Sequence, residues 1–202
     1  MLRMTHLALA VAFGAGTTAA AGAAAAVGDD VAQDPQASAV IKNAEGQHVG
    51  TLTIADADGG MAEITVKGEG LPAGYHGLHL HEKGVCDPAA TDPATGSPFA
   101  SAGSHFDLNG HDHGEHSGDL PDLLVNADGT GSATAVTDRF EIGQLFDSDG
   151  TAVIIHVLAD NQSNIPDRYT DPTGEKGPDA DTLKTGDSGG RLACGVLTQP
   201  EP

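Results

Sequence analysis

Residues 76–86, HGLHLHEKGVC, contain three of the ten histidines in this 202-residue chain and end on one of its two cysteines. If this segment is a β-strand, its side chains alternate between two faces, so His79 and His81 point to the same side and Leu80 points to the other. Two imidazoles on one face, about 7 Å apart along the backbone, can converge on one metal ion. The alternative is a pair of exposed surface histidines.

The remaining histidines strengthen the metal interpretation. His105 lies in SAGSHFD, and His156 lies alone in the apolar run TAVIIHVLA, four residues before Asp160. A metal-bound imidazole usually donates its other nitrogen to a carboxylate or carbonyl, a role that Asp160 can fill. The segment GHDHGEHSGDL adds four further candidates, which are His111, His113, His116 and Asp119. Imidazole suits copper and zinc, and zinc also accepts a carboxylate. A metal-scavenging surface patch remains an alternative for His111.

Short β-type runs bounded by glycine, proline and aspartate make up the rest of the chain. SAVIKN, HVGTLTIADA and MAEITVKGE precede the histidine segment, and RLACGVL ends the pattern. DLLVNADGTGSATAVT is typical of a hairpin that turns at Asp128-Gly129. These runs predict an all-β antiparallel sandwich or barrel. Residues 84–118 and 160–190 are predicted to be long loops, which are usually functional in a compact domain.

Residues 1–27 begin with Arg3, continue as an apolar run and contain A-x-A sites, which is typical of a secretory signal peptide. An uncleaved membrane anchor is the alternative. We expect cleavage, a flexible mature N-terminus over residues 28–37, one domain over residues 38–198, and a soluble protein in the periplasm or cell envelope without stable membrane contact. The net charge of −20 disfavours binding to nucleic acid or anionic membranes.

Two cysteines in an exported chain are most simply interpreted as one disulfide, Cys86–Cys194, and the alternative is two unrelated buried thiols. Closing so long a loop would add roughly 4–5 kcal/mol of stability in the chain-entropy model.

A family resemblance rests on five motifs. They are HGLHLHEKGVC, SAGSHFD, HSGDLPDL, IIHVLADN and TGDSGGRLACGV. In order and spacing they resemble copper–zinc superoxide dismutases of the bacterial secreted type over residues 38–198. The resemblance implies an eight-stranded Greek-key β-barrel of immunoglobulin-like sandwich form with two long functional loops. It also implies dismutation of superoxide to dioxygen and hydrogen peroxide at a redox-cycling copper.

The resemblance further implies roles for single residues. The implied copper ligands are His79, His81, His105 and His156. His105 would bridge to a zinc held by His113, His116 and Asp119. His111 is the alternative to His113 in this set. Asp160 would link ligands of the two metals, and His76 would be structural. Arg191 would receive the substrate anion, unless it is a surface arginine that bonds loop carbonyls.

Two departures from the family pattern qualify these expectations. The stretch between His105 and Asp119 is several residues shorter than in most zinc-binding members, so copper is expected and zinc occupancy stays open. Residues 160–190 carry seven acidic and three basic residues, although this loop helps to attract the anion in the family.

Two other functions compete with the dismutase interpretation. One is an exported copper-binding or copper-buffering protein without activity, which would need neither Arg191 nor a bridging His105. The other is a cupin-type metalloenzyme, whose further motifs the chain lacks. The sequence leaves both a monomer and a homodimer open.

Overall fold

The structure is a computed structural model that describes residues 34–200. Its eight strands are β1 Ala37–Asn43, β2 His48–Ala57, β3 Met61–Gly68, β4 Gly74–His81, β5 Asp119–Val125, β6 Gly131–Thr137, β7 Ala152–His156 and β8 Arg191–Val196. They form one closed antiparallel barrel in the order β1-β2-β3-β6-β5-β4-β7-β8. Because β3 to β4 and β6 to β7 connect strands that are not neighbours, the predicted Greek-key barrel is confirmed.

Helical structure in the described part of the chain is confined to single turns. They are α1 Thr182–Thr185 and the 3₁₀ segments Asp58–Gly60, Ala100–Ala102 and Ile142–Phe146. Within residues 34–200, no helix has the length and apolar character needed to cross a membrane.

The predicted signal peptide, residues 1–27, lies outside the described residues, as does most of the predicted N-terminal tail. β1 nevertheless begins inside that tail, at Ala37. Ala37 is fully buried and pairs with Ile54 of β2, so the barrel starts one residue earlier than the sequence predicted.

Alternation of side chains explains why β4 contributes both to the barrel core and to a histidine face outside that core. Leu78 and Leu80 of β4 point into the barrel core, so His79 and His81 point outward. They are buried all the same, because the connections 82–118 and 157–190 cover this face of the barrel. The two long loops that the sequence predicted therefore enclose the histidine face.

The first four residues of β7 are apolar because both faces of the strand are covered. Val153 and Ile155 belong to the barrel core, whereas Ala152 and Ile154 pack into a smaller cluster under the first long loop. Cys194 of β8 is part of that smaller cluster and forms a disulfide with Cys86. The two Cα atoms are 5.7 Å apart, and the sequence separation is 108. The predicted disulfide is confirmed, and it ties the first long loop to β8.

Candidate metal centre

The outward faces of two adjacent strands place three histidines together. β4 pairs with β7, so that His79 lies opposite Ile154 and His81 lies opposite Ala152. His156 ends β7 on the same face, and its Nε2 lies 3.4 Å from Nε2 of His81. The fourth histidine, His105, arrives from the first long loop through an isolated β-bridge with His81.

The partners of these imidazoles determine which nitrogens carry hydrogen. The Nδ1–H of His81 donates to the Gly103 carbonyl at 3.0 Å, and the Nδ1–H of His156 donates to the Gly189 carbonyl at 3.2 Å. Since a carbonyl only accepts, each Nε2 keeps a lone pair, and the two lone pairs face each other. His79 donates its Nε2–H to Asp160 at 2.6 Å, which leaves its Nδ1 buried without a partner.

Together with His105, these histidines form a donor set for one metal ion. One ligand atom from each of the four residues lies within 4.8 Å of all the others, and all four side chains are buried. Burial lowers the pKa of His81 and His156 well below the usual value, and it lowers the pKa of His105 to about 4. These three imidazoles are therefore neutral, which is the form that binds metal.

A second donor set adjoins the first and shares His105. The Nδ1 atoms of His105, His113 and His116 lie 3.0, 3.3 and 3.3 Å from one carboxylate oxygen, Oδ1 of Asp119. The other oxygen of Asp119 accepts the backbone N–H groups of Gly114 and His116 at 2.7 and 3.1 Å. Nδ1 of His113 is buried and has no hydrogen-bonding partner of suitable geometry. Three imidazoles and one carboxylate are a usual ligand set for zinc.

Asp160 connects the two donor sets. One of its oxygens accepts from His79, and its carboxylate lies 2.9 Å from Nε2 of His113. Burial works to raise the pKa of Asp160, but hydrogen bonds from His113 and His79 outweigh it and lower that pKa below its usual value. The same carboxylate thus orients one imidazole of each set and directs both unpartnered Nδ1 atoms towards the metal positions.

The charge on His113 reflects its two acidic neighbours. Burial opposes its protonation, but the hydrogen bonds and charges of Asp119 and Asp160 raise its pKa to about 9. Without metal, a proton on His113 therefore balances these carboxylates, and a bound cation would replace that proton.

The structure brings together His79, His81, His105, His113, His116, Asp119, His156 and Asp160, but it does not bring His111 into the cluster. His111 is exposed on the surface, where its Nδ1 lies 3.1 Å from Asp107. His76 is buried outside the cluster, with one ring nitrogen 2.8 Å from the carbonyl oxygen of His156 and the other 2.8 Å from that of Pro72. These contacts hold the ring outside both donor sets, and the structural role of His76 stays a prediction.

Arg191 lies at the wall of an open cleft of about 520 Å³ that reaches His81, His105 and His156. Its Nη1 donates to the Phe99 carbonyl and its Nη2 donates to the Gly103 carbonyl. The arginine thus bonds loop carbonyls and lines the cleft, and its role in receiving the substrate anion stays a prediction. Two of its five N–H groups are used in this way, so the others remain for a ligand.

Gly103 was not among the residues predicted from the sequence, yet its carbonyl accepts from both Arg191 and His81. Its φ of 76° is a conformation that favours glycine, and a Cβ there would overlap the side chain of Glu82. The only local signal is a glycine two residues before His105 in SAGSH.

Comparisons with known proteins agree with this geometry. Residues 48–197 match the family model described as Copper/zinc superoxide dismutase. The chain is 40% identical to the Superoxide dismutase [Cu-Zn] of Mycolicibacterium paratuberculosis over 91% of this chain and 79% of that protein. It is 44% identical to the protein of the same name from Mycobacterium tuberculosis over 68% of this chain and 60% of that protein, which is less than two thirds of its length.

A solved structure gives the same result for the fold. The Cu/Zn superoxide dismutase from Brucella abortus is 31% identical, with a TM-score of 0.58 over 79% of this chain and 97% of that chain. A family match over most of the chain, relatives at this level of identity and two fused donor sets on one barrel lead to a single conclusion. The chain belongs to the copper/zinc superoxide dismutase family.

Proposed function

We propose that the protein is a superoxide dismutase that converts two superoxide anions and two protons into dioxygen and hydrogen peroxide. The observation that carries this proposal is the pair of fused donor sets that share His105. The first set opens through His81, His105 and His156 into a cleft beside Arg191. The family match supports the same activity.

The donor sets fit copper and zinc by their chemistry. The four imidazoles of His79, His81, His105 and His156 suit copper, and a bound copper ion would supply reversible one-electron chemistry. Zinc would be held by His105, His113, His116 and Asp119, with Asp160 orienting one imidazole of each set.

The chain's own groups would handle the anion and the protons. The guanidinium of Arg191, fixed by two loop carbonyls, would orient superoxide through its remaining N–H groups. Nε2 of His105 would hold a proton and release it to the reduced substrate.

Metal reconstitution tests the activity. Protein stripped with a chelator should lose superoxide dismutation and regain it with copper, but not with zinc alone. Activity that survives in copper-free protein would rule out the proposed role of copper.

A matched pair of histidine variants tests the site. His81→Ala removes a buried member of the cluster, whereas His111→Ala removes an exposed histidine outside it. The first variant should lose copper binding and activity, and the second should keep both. A copper-buffering protein would instead bind copper stoichiometrically in the wild type and show no dismutation.

We further propose that residues 1–27 direct export and are removed. The Cys86–Cys194 disulfide supports an oxidising compartment outside the cytoplasm. N-terminal sequencing of the protein from its native host should find a chain that begins near Gly28, and an intact Met1 on a membrane-bound protein would favour the anchor instead.

A further inference from the structure

The cleft in front of Arg191 carries more acidic than basic side chains. Asp92, Asp181 and Asp187 line it together with Lys184 and Arg191. A cleft that collects an anion by long-range attraction would be lined mainly by positive charge. The balance here is the reverse, although the proposed substrate is an anion.

Among these acids, Asp92 belongs to a turn that is hydrogen-bonded to the backbone of Arg191. It begins a turn in which its Oδ1 accepts from the backbone N–H groups of Ala94 and Thr95, both at 2.9 Å. The turn ends at Ser97, whose carbonyl accepts the N–H of Asp92 at 2.8 Å and whose hydroxyl accepts the backbone N–H of Arg191 at 2.7 Å. The Asp92 turn is thus hydrogen-bonded to the backbone of Arg191, and the side chains of both residues line the cleft.

Charge interaction between the two groups agrees with this geometry. Hydrogen bonds from Thr95 and Ala94 lower the pKa of Asp92, so the carboxylate is ionised at neutral pH. Burial lowers the pKa of Arg191, and the charge of Asp92 acts against that effect. An anion that approaches Arg191 therefore meets a positive charge that is partly offset by a fixed negative one.

We propose that Asp92 is a specificity-determining residue, which offsets the charge of Arg191 so that the cleft disfavours multivalent anions more strongly than small monoanions. The inference rests on the proposed function, because it concerns access to the same site. Electrostatic energy is proportional to the charge of the ligand, so one nearby carboxylate weakens binding of a dianion by about the square of the factor for a monoanion. Superoxide carries one charge, whereas competing phosphate carries up to two.

The chain offers a matched control in Asp171. It begins a similar Asp-Pro turn, in which its Oδ1 accepts from the N–H and hydroxyl of Thr173 at 2.8 and 2.7 Å. Asp171 lines a separate surface hollow rather than the cleft of Arg191. Asp171→Asn therefore removes the same formal charge from the same kind of turn at a different place.

The experiment measures anion binding as well as the dismutation rate. On copper-loaded protein at low salt and pH 8, azide binding is followed by absorbance, and hydrogen phosphate binding is followed by competition with azide. Asp92→Asn keeps the turn's acceptor oxygen and should tighten azide binding about twofold and hydrogen phosphate binding about fourfold. Asp92→Glu, which keeps the charge, and Asp171→Asn should both bind as the wild type does.

Two results would overturn the proposal. One is that Asp92→Asn binds both anions as the wild type does, and the other is that Asp171→Asn changes binding as much as Asp92→Asn does. Calorimetric titration of hydrogen phosphate into metal-free protein gives the same comparison without any activity. A protein that fails as a dismutase can therefore still confirm or refute the role of Asp92.

Discussion

Removing the disulfide should destabilise the metal-free protein by about 5 kcal/mol. The bridge joins Cys86 to Cys194 across 108 residues, and the chain-entropy relation for a loop of about 100 residues gives roughly 4.7 kcal/mol. For a domain of this size, that loss corresponds to a fall in Tm of roughly 10–20 °C. Chemical reduction is the cleanest perturbation, because both sulfur atoms stay in place and no cavity forms around Cys194.

The assay is urea unfolding of metal-free protein, oxidised and reduced, since bound metal would add its own stabilisation to the native state. With a slope of about 2 kcal/mol/M, the midpoint should fall by about 2.5 M on reduction. The Cys86→Ala, Cys194→Ala double variant should behave as the reduced wild type, with a further small loss because Cys194 is buried. Unfolding free energies that agree within about 1 kcal/mol before and after reduction would refute the argument.

Three other predictions concern the candidate site. Metal-free protein should be most stable near pH 6.5. Below that pH, the buried histidines with lowered pKa, such as His105, bind fewer protons than in the unfolded chain, so the free energy of unfolding falls as the pH is lowered. Above it, the raised pKa of His113 makes the free energy of unfolding fall until about pH 9. Urea midpoints that do not vary over pH 5–9 would contradict this. Asp160→Asn should weaken metal binding about 10- to 100-fold, measured by competition with a chelator, and unchanged affinity would show that the carboxylate does not orient the ligands. Raising ionic strength should leave the dismutation rate constant unchanged or higher, because the net charge of −20 repels the anion at long range. Arg191→Glu should lower the rate severely at every salt concentration, because the new negative charge repels the anion from within the Debye length of about 10 Å at 0.1 M. Both rates are measured by stopped flow. A steep fall in the wild-type rate with salt would instead indicate long-range attraction by positive charges around the cleft.

Much of the barrel could be predicted because the strand pattern is local. Alternation along HGLHLH placed His79 and His81 on one face, and glycine-containing turns separated the neighbouring strands. The apolar run of β7 indicated a buried strand. The sequence alone could not tell which of its side chains face the barrel core and which face the smaller cluster under the first long loop. Cys86 and Cys194 could be paired because only two cysteines are present.

The loop residues were less predictable, since contacts distant in sequence determine their positions. The backbone N–H of His113 donates to the Leu183 carbonyl at 2.6 Å, and the hydroxyl of Ser163 donates to the His113 carbonyl. These contacts come from the other long loop, so the local spacing could not exclude His111. The carbonyls of Gly103 and Gly189, which determine the tautomers of His81 and His156, leave no side-chain signature at all.

Closure of the barrel also depends on a short seam. β1 and β8 are joined by the pairs Lys42–Cys194 and Asn43–Ala193 and by a separate bridge between Ser38 and Thr198, whereas β2 and β3 share eight pairs. Strand edges left unpaired are templates for intermolecular sheet growth. Because Cys194 is itself a seam residue, the disulfide holds β8 at the position where the sheet closes. Opening the seam would expose two sheet edges at once, so the disulfide protects the protein against aggregation as well as against unfolding.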